Sequence, residues 1–484
     1  MRQKRLLFIL CIAVCMLLLT LSACNRNSEK NAVAPIYEIN ITYDGENEIH
    51  ATENVCYFNN SDTTLTHITM ALYANAYNEG NQPFSKEVTG SAYYNGLSYG
   101  GITVSDLKID KTPAEYTVDG TTLNFDIPQL ESGKSVNLSL EYEITLPECT
   151  GRLGKTPLSV NLCNFYPQIC PIKNGNFVTH DYSCYGDPFC SEIADFYVNV
   201  TLPDADTKIA AGGSITDVYK DESGKTTYEI ISEKTRDFGL VFSKSFKTAT
   251  KDCNGINITY QYLSDETPED TVNLAANALT SFSKAFGKYP YSSFTICETP
   301  FAHRGMEYSS LILITDKMLA KERELTVIHE TAHQWWYGVV GSDQYENAYL
   351  DEGLTEFSTA YYYHLQGDDE TFSNLITTHK TNYQTYSEYL SSKGIPFDCV
   401  MTKALNEFSS QSEYIITAYD KGALAINSLY EIMGEKKFNK AMQLYFSENA
   451  YKIADVSCLK KAVNKYSKQA GKTIDPWLDG TVKL

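Results

Sequence analysis

The sequence predicts a multidomain chain, an all-β half followed by a half that mixes strands with helices. Three observations carry this reading. The chain has 484 residues, more than one hydrophobic core usually serves. From Pro35 to about Phe246, apolar residues recur at every second position between glycine-containing turn signals. Beyond Thr267 the recurrence lengthens to three and four positions, the spacing of one helix face.

In the β half, Tyr37, Ile39, Ile41 and Tyr43 alternate before a turn at Asp44-Gly45. Val136, Leu138, Leu140, Tyr142, Ile144 and Leu146 alternate without interruption, as do Phe196, Val198, Val200 and Leu202 before Pro203. Further turns are signalled at Asp119-Gly120, Ser132-Gly133 and Gly212-Gly213. Many short strands punctuated this way indicate a β-sandwich or open barrel. Gln168 and Asp187, in loops, are its polar candidates for lining a cleft, against the reading of ordinary loop polarity.

In the second half, Ile256, Ile258, Tyr260 and Tyr262 form one more alternating run. Thr267-Pro268-Glu269-Asp270 then opens a helix, with Thr267 as N-cap and Gly287 closing it after Phe286. Residues 309–315, SSLILIT, read as a strand whose exposed edge is open to pairing with a peptide backbone. A further helix carries the stripe Leu325, Ile328, Ala332 and Trp336. The turn-rich GSDQYEN ends that pattern, and another helix begins near Asp351. Helices at about 421–432, 436–448 and 456–469 follow, and Trp477 docks the end of the chain.

The chemistry is concentrated at residues 325–357. His329, Glu330 and His333 spell H-E-x-x-H, and Glu352 follows after eighteen intervening residues. Positions i and i+4 share a helix face, so His329 and His333 offer two imidazoles to one metal ion. Glu330 is turned about 100° away, outside the ligand set but within reach of a water beside it. Two His, one carboxylate and one open position describe a catalytic zinc site, whereas a structural site is closed by four protein ligands. Glu356, one turn beyond Glu352, is placed either to orient a ligand His or to face solvent.

H-E-x-x-H, eighteen residues, then Glu in the context LDEG resembles the gluzincin aminopeptidases of the M1 family. The segments KYPYSSFTICETP, Gly305-Met306-Glu307 and TAYDKGALAINSLYEIMGEKKFNKAMQLYF are also similar to that family, as more weakly are NFYPQICP and GDPFCSEIADFYVNV. The resemblance implies a saddle-shaped β-domain at 36–250 and a thermolysin-like α+β zinc peptidase domain at 251–484. It implies one Zn²⁺ held by His329, His333 and Glu352, with Glu330 as general base and Tyr419 as a donor to the oxyanion. Gly305, Met306 and Glu307 are implied at the substrate, with Glu307 meeting the free amino group of a peptide. The family carries Asn where this chain has Tyr308. A fixed carboxylate near the metal would make a general peptidase into an exopeptidase, because only a terminal residue places an ammonium there. The larger members add a helical domain that covers the cleft; this sequence ends at Leu484, and the expectation is a more open site. Two other readings stay open: an endopeptidase or another hydrolase using the same zinc, and a non-catalytic surface lipoprotein that binds peptide or glycan.

The first 24 residues lead to the expectation that the body of the chain lies outside the cytoplasm. The first residues, MRQKRLLFILCIAVCMLLLTLSAC, join a basic start to an apolar run, and LSAC at 21–24 resembles a bacterial lipobox. The expectation is a signal peptide at 1–23, a lipid on Cys24 anchoring the protein to the membrane, and a tether at 24–35. An uncleaved spanning helix is the alternative. Loss of Arg2, Lys4 and Arg5 takes the formal net charge from −20 to −23, which argues against nucleic acid and anionic membrane surfaces as partners. Ten cysteines remain after Cys24, and the grouping of Cys163, Cys170, Cys184 and Cys190 suggests one or two bridges in an exported protein, or buried free thiols.

Overall fold

A computed structural model describes residues 32–482 and 484. The segment expected to be a signal peptide, Cys24 and the expected tether up to residue 31 lie outside the described residues. No helix among the described residues is long and apolar enough to cross a membrane.

The β half is built on an eight-stranded sheet. Its order is Ser214–Lys220, Thr226–Thr235, Ala194–Leu202, Ile36–Tyr43, Glu48–Phe58, Ser135–Thr145, Gly101–Ile109 and Thr112–Pro113. The alternating runs are these strands: along Ser135–Thr145 every second side chain is buried. The four turn signals are left-handed glycines, Gly45, Gly120, Gly133 and Gly213, with φ of 95°, 54°, 76° and 95°. Two four-stranded sheets pack with the large one around a core that includes Tyr37, Phe196, Leu140 and Phe238.

The second half has one five-stranded sheet, ordered Lys247–Cys253, Ile256–Tyr262, Ser293–Thr299, Leu311–Thr315 and Gly305–Tyr308. Here one expectation is corrected. The strand within SSLILIT is not an edge, because Leu311–Thr315 pairs with Ser293–Thr299 on one side and Gly305–Tyr308 on the other. The outer strand is Gly305–Tyr308, which reaches its partner by a hairpin through Ser310 at φ 57°.

Apart from the short Lys86–Ala92 in the β half, the helices begin with Pro268–Ala285, where Thr267 makes no side-chain cap. Asp265 does that work, accepting from the Thr267 N–H at 2.9 Å and the Thr271 hydroxyl at 2.7 Å. Ala320–His333 carries H-E-x-x-H and runs into a wider π-helical turn, Gln334–Val339. Ala348–Leu365 starts three residues before the expected Asp351. The long Asp369–Ser392 follows, and a second π-helical turn, Ile416–Lys421, leads into Gly422–Met433. Glu435–Asn449, Val456–Tyr466 and Lys468–Leu478 close the lobe, with Trp477 buried in its core. The helix expected to run to about 469 ends at Tyr466, and a separate helix, Lys468–Leu478, continues through Pro476.

Arg236 ties the two halves together. Its buried guanidinium has no carboxylate partner among the described residues and donates to the carbonyls of Ser191 at 2.5 Å, Tyr337 at 2.8 Å, Lys452 at 3.2 Å and Val339 at 3.4 Å. Those carbonyls include ends of the turn behind H-E-x-x-H, so the β half braces the metal-binding helix. Gly341 is needed there, since a Cβ would sit 2.1 Å from the Arg236 Cζ.

The ten cysteines are free thiols, so the bridges suggested for 163–190 are not made. Cys163 is instead buried between Leu240 and Tyr308, Cys170 lies within apolar packing, and Cys190 is buried.

Candidate active site

The geometry starts from one helix face. The Nε2 atoms of His329 and His333 lie 3.1 Å apart, and Glu352 Oε2 is 3.4 and 3.3 Å from them. The far ring nitrogens are held by neighbours. His333 Nδ1 is 2.7 Å from Asp351 Oδ1 and 3.1 Å from the Thr355 hydroxyl, and His329 Nδ1 is 3.5 Å from Glu356 Oε1. Such contacts fix ring orientation and turn both Nε2 atoms to a common point. Glu352 Oε2 is buried with no hydrogen-bond partner among the described residues. Three ligand atoms converging on one point, one of them a carboxylate oxygen without a hydrogen-bond partner, fit a zinc ion with one position left open.

Two glycines bring Glu352 to this point. Gly353 and Gly422 pack backbone to backbone, and a Cβ on either would meet the other's Cα at 2.8 or 2.7 Å. That contact lets Ala348–Leu365 approach the segment carrying Tyr419. The Tyr419 hydroxyl donates to Glu352 Oε1 at 2.5 Å, and its ring lies parallel to His329 with centroids 6.1 Å apart. Tyr414 is buried, packed edge-on to Tyr419 and against Gly186 of the β half, so it lines the site behind Tyr419.

The outer strand Gly305–Tyr308 brings the remaining groups. Alternation puts Gly305 and Glu307 on one face, and Met306 and Tyr308 on the other. Gly305 must be glycine, because a Cβ would stand 2.2 Å from Glu330 Oε1. Met306 is buried in an apolar cluster with Phe189 and Cys163, its sulfur 3.2 Å from Arg152 Nε. Tyr308 points the same way, its hydroxyl donating to Asn164 Oδ1 at 3.1 Å. The departure from Asn at this position is therefore absorbed by the β half and leaves the Glu307 face alone. Glu307 is 3% exposed, and one of its oxygens, one of Glu330's and a His333 ring nitrogen all lie within 4.8 Å of one another. Gln334 holds strand to helix, donating to the Tyr308 carbonyl at 3.0 Å and accepting from the Ser310 N–H at 2.8 Å.

Burial and neighbouring charge set the proton affinities. Burial pushes the Glu330 carboxyl up to about 7, against the pull of His329 and His333. Burial likewise raises Glu307, an effect that His333 opposes and Asp187 and Asp351 reinforce. Glu352 stays down at about 2, because the two imidazoles outweigh its burial.

The β-half candidates are both engaged. Gln168 donates to the Arg236 carbonyl at 3.2 Å and accepts from the Ser191 hydroxyl at 3.2 Å, a bracing role. Asp187 pairs with buried Arg152. His364 is 2.5 Å from Asp369 and His379 is 2.8 Å from Asp420, so neither joins the metal donors. His379 also lies 3.7 Å from Glu356, linking that residue to the segment beside Tyr419. Arg304 is exposed, 3.5 Å from Glu322. Asp351, Gln334 and Gln344 escaped the sequence reading, although Asp351 lies inside LDEG and Gln334 directly follows H-E-x-x-H.

With this geometry in view, comparison with known proteins is decisive for the second half. Residues 271–479 match the model of the peptidase family M1 domain. This segment is a peptidase family M1 domain. Leucine aminopeptidase 2 of Aspergillus niger is 21% identical over 374 residues, 72% of this chain and 57% of that protein. Aminopeptidase N of Lactococcus lactis is 20% identical over 426 residues, 81% of this chain and 48% of the relative. The chain thus spans about half the length of these curated relatives. The M1 zinc metallopeptidase of Deinococcus radiodurans has the same two-domain fold, with a TM-score of 0.66 at 18% identity over 93% of this chain and 94% of that one. A mutant of it with a bound Tyr-Ser-Ala substrate matches at a TM-score of 0.66 and 19% identity, over 93% and 95%. The fold is therefore a large β-rich domain followed by a mixed M1 peptidase domain.

Proposed function

We propose that this chain is a zinc aminopeptidase that removes amino-terminal residues from peptides outside the cytoplasm, held to the membrane by a lipid on Cys24. The observation that carries the enzymatic part is Glu307. Its buried carboxylate stands beside Glu330 and His333, on the strand that borders the metal donors. What supports the location is the basic start, apolar run and LSAC of the first 24 residues.

His329, His333 and Glu352 would hold the zinc. When bound, it supplies Lewis acidity toward the scissile carbonyl and acidifies the attacking water. Glu330 takes that water's proton and delivers it to the departing amine. Tyr419 turns its hydroxyl from Glu352 to the developing oxyanion. Glu307 binds the substrate ammonium, and the outer edge of Gly305–Tyr308 pairs with the peptide backbone.

The direct test is turnover of aminoacyl reporter substrates by purified protein, with zinc content measured alongside. One zinc per chain and activity that is lost to a chelator and restored by zinc are expected. A zinc-loaded protein that cuts only amino-blocked or internal peptide bonds would identify an endopeptidase. One that cuts none would favour the peptide- or glycan-binding lipoprotein.

Tyr419→Phe should fold and keep zinc but lower kcat by about 10- to 100-fold, since the metal shares the oxyanion charge. Tyr414→Phe should have little effect. A reversal of these two results, read from kcat on one substrate, would transfer the oxyanion role to Tyr414.

A further inference from the structure

The loop between the two metal-binding helices holds a side chain that none of the roles above uses. Gln344 is 2% exposed, and its backbone N–H donates to the Phe189 carbonyl at 3.2 Å, which anchors the loop to the β half. Its side-chain nitrogen donates both hydrogens to carboxylates, to Glu307 Oε1 at 3.0 Å and to Asp351 Oδ2 at 2.5 Å. Asp351 in turn holds His333 Nδ1 through its other oxygen. A continuous path therefore runs from Glu307 through Gln344 and Asp351 to a metal donor.

The chemistry of this position is restrictive. Two buried carboxylates facing each other repel, and each needs a donor to replace lost water. A primary amide supplies two donors in one plane without adding charge, whereas a Glu would add a third acid and a Met would supply no donor. With Glu307 Oε1 occupied, no group among the described residues donates to its second oxygen. The Gln344 carbonyl oxygen is also buried and without a donor. The pocket is short of hydrogen-bond donors, which is the deficit an ammonium group would fill.

We propose that Gln344 is a positioning residue for amino-terminus recognition: it fixes one oxygen of Glu307, leaves the other for the substrate ammonium, and ties that anchor to the His333 side of the metal site. This rests on Glu307 being the amine anchor and adds the group that makes it one. Strictness toward a free amino terminus then depends on Gln344 as well as on Glu307.

The test is a double-mutant cycle with Gln344→Met and the isosteric Gln344→Glu, each alone and combined with Glu307→Ala. The readouts are kcat and KM on a free-amine aminoacyl reporter, zinc content, and inhibition by acetohydroxamic acid, a metal-directed probe with no amino group. Each Gln344 variant alone should lower kcat/KM about 10- to 30-fold, mostly through KM, with zinc content and acetohydroxamic acid inhibition unchanged. In the Glu307→Ala background the same substitutions should change kcat/KM by less than about 2-fold. A full loss that persists in that background, or a parallel fall in zinc content, would overturn the proposal and make Gln344 a support of the metal site. Glu307→Ala losing equally on free and amino-blocked substrates is a separate result, which removes the amine-anchor reading itself.

Discussion

Glu330→Gln is expected to retain zinc and to lose about 10³-fold in kcat, the middle of the range for a positioned general base. The substitution preserves shape in a place where shape is tightly set. One Glu330 oxygen lies where Gly305 leaves room for it, and the other is buried with no partner among the described residues. An amide fits this space, but it neither accepts a proton at neutral pH nor returns one to a departing amine. The metal donors are untouched, because His329, His333 and Glu352 meet without Glu330. Removing the buried carboxylate lifts its burial penalty and its repulsion by Glu352 and Asp187 but gives up its attraction to His329 and His333, so Tm should change little. Metal analysis, thermal unfolding and kcat on one aminoacyl substrate check all three points. Near-normal kcat in the zinc-loaded variant would sink the mechanism.

Glu307→Ala is expected to lose about 10²-fold in kcat/KM on substrates with a free amino terminus and almost nothing on amino-acetylated ones. Only the first class carries the ammonium that the carboxylate would bind. An ion pair in a cleft this buried contributes a few kcal/mol, and each 1.4 kcal/mol is a factor of ten. The measurement is a two-by-two comparison of kcat/KM, wild type and variant against free and blocked substrate. Wild type should be poor on the blocked substrate, so the gap between the proteins closes there. Equal losses on both substrates would instead make Glu307 a structural support. Efficient cleavage of the blocked substrate by wild type would point to an endopeptidase.

Much of the site is legible in sequence because its central parts are local. His329 and His333 share a helix face by spacing alone, and Glu330 falls off that face for the same reason. The strand positions of the β half follow from alternation just as directly, as Ser135–Thr145 and Ala194–Leu202 illustrate. Periodicity does not report the neighbours of a strand. SSLILIT reads as an edge, yet Leu311–Thr315 is flanked on both sides, because the short hairpin through Ser310 folds Gly305–Tyr308 outside it.

By itself, the sequence determined the two classes of fold, the helix that presents two imidazoles, and the third carboxylate eighteen residues on, since each depends on the period of one element. Tertiary structure alone decided what surrounds them. Gln344 belongs to a polar stretch that reads as an ordinary turn, and only packing places its amide between Glu307 and Asp351, residues 37 and 7 positions away. The same holds for Gly353 against Gly422 and for Arg236 beneath the turn after H-E-x-x-H. Partners distant in the chain leave no periodic trace, and a buried polar group gains its meaning from the donors and acceptors that the fold brings to it.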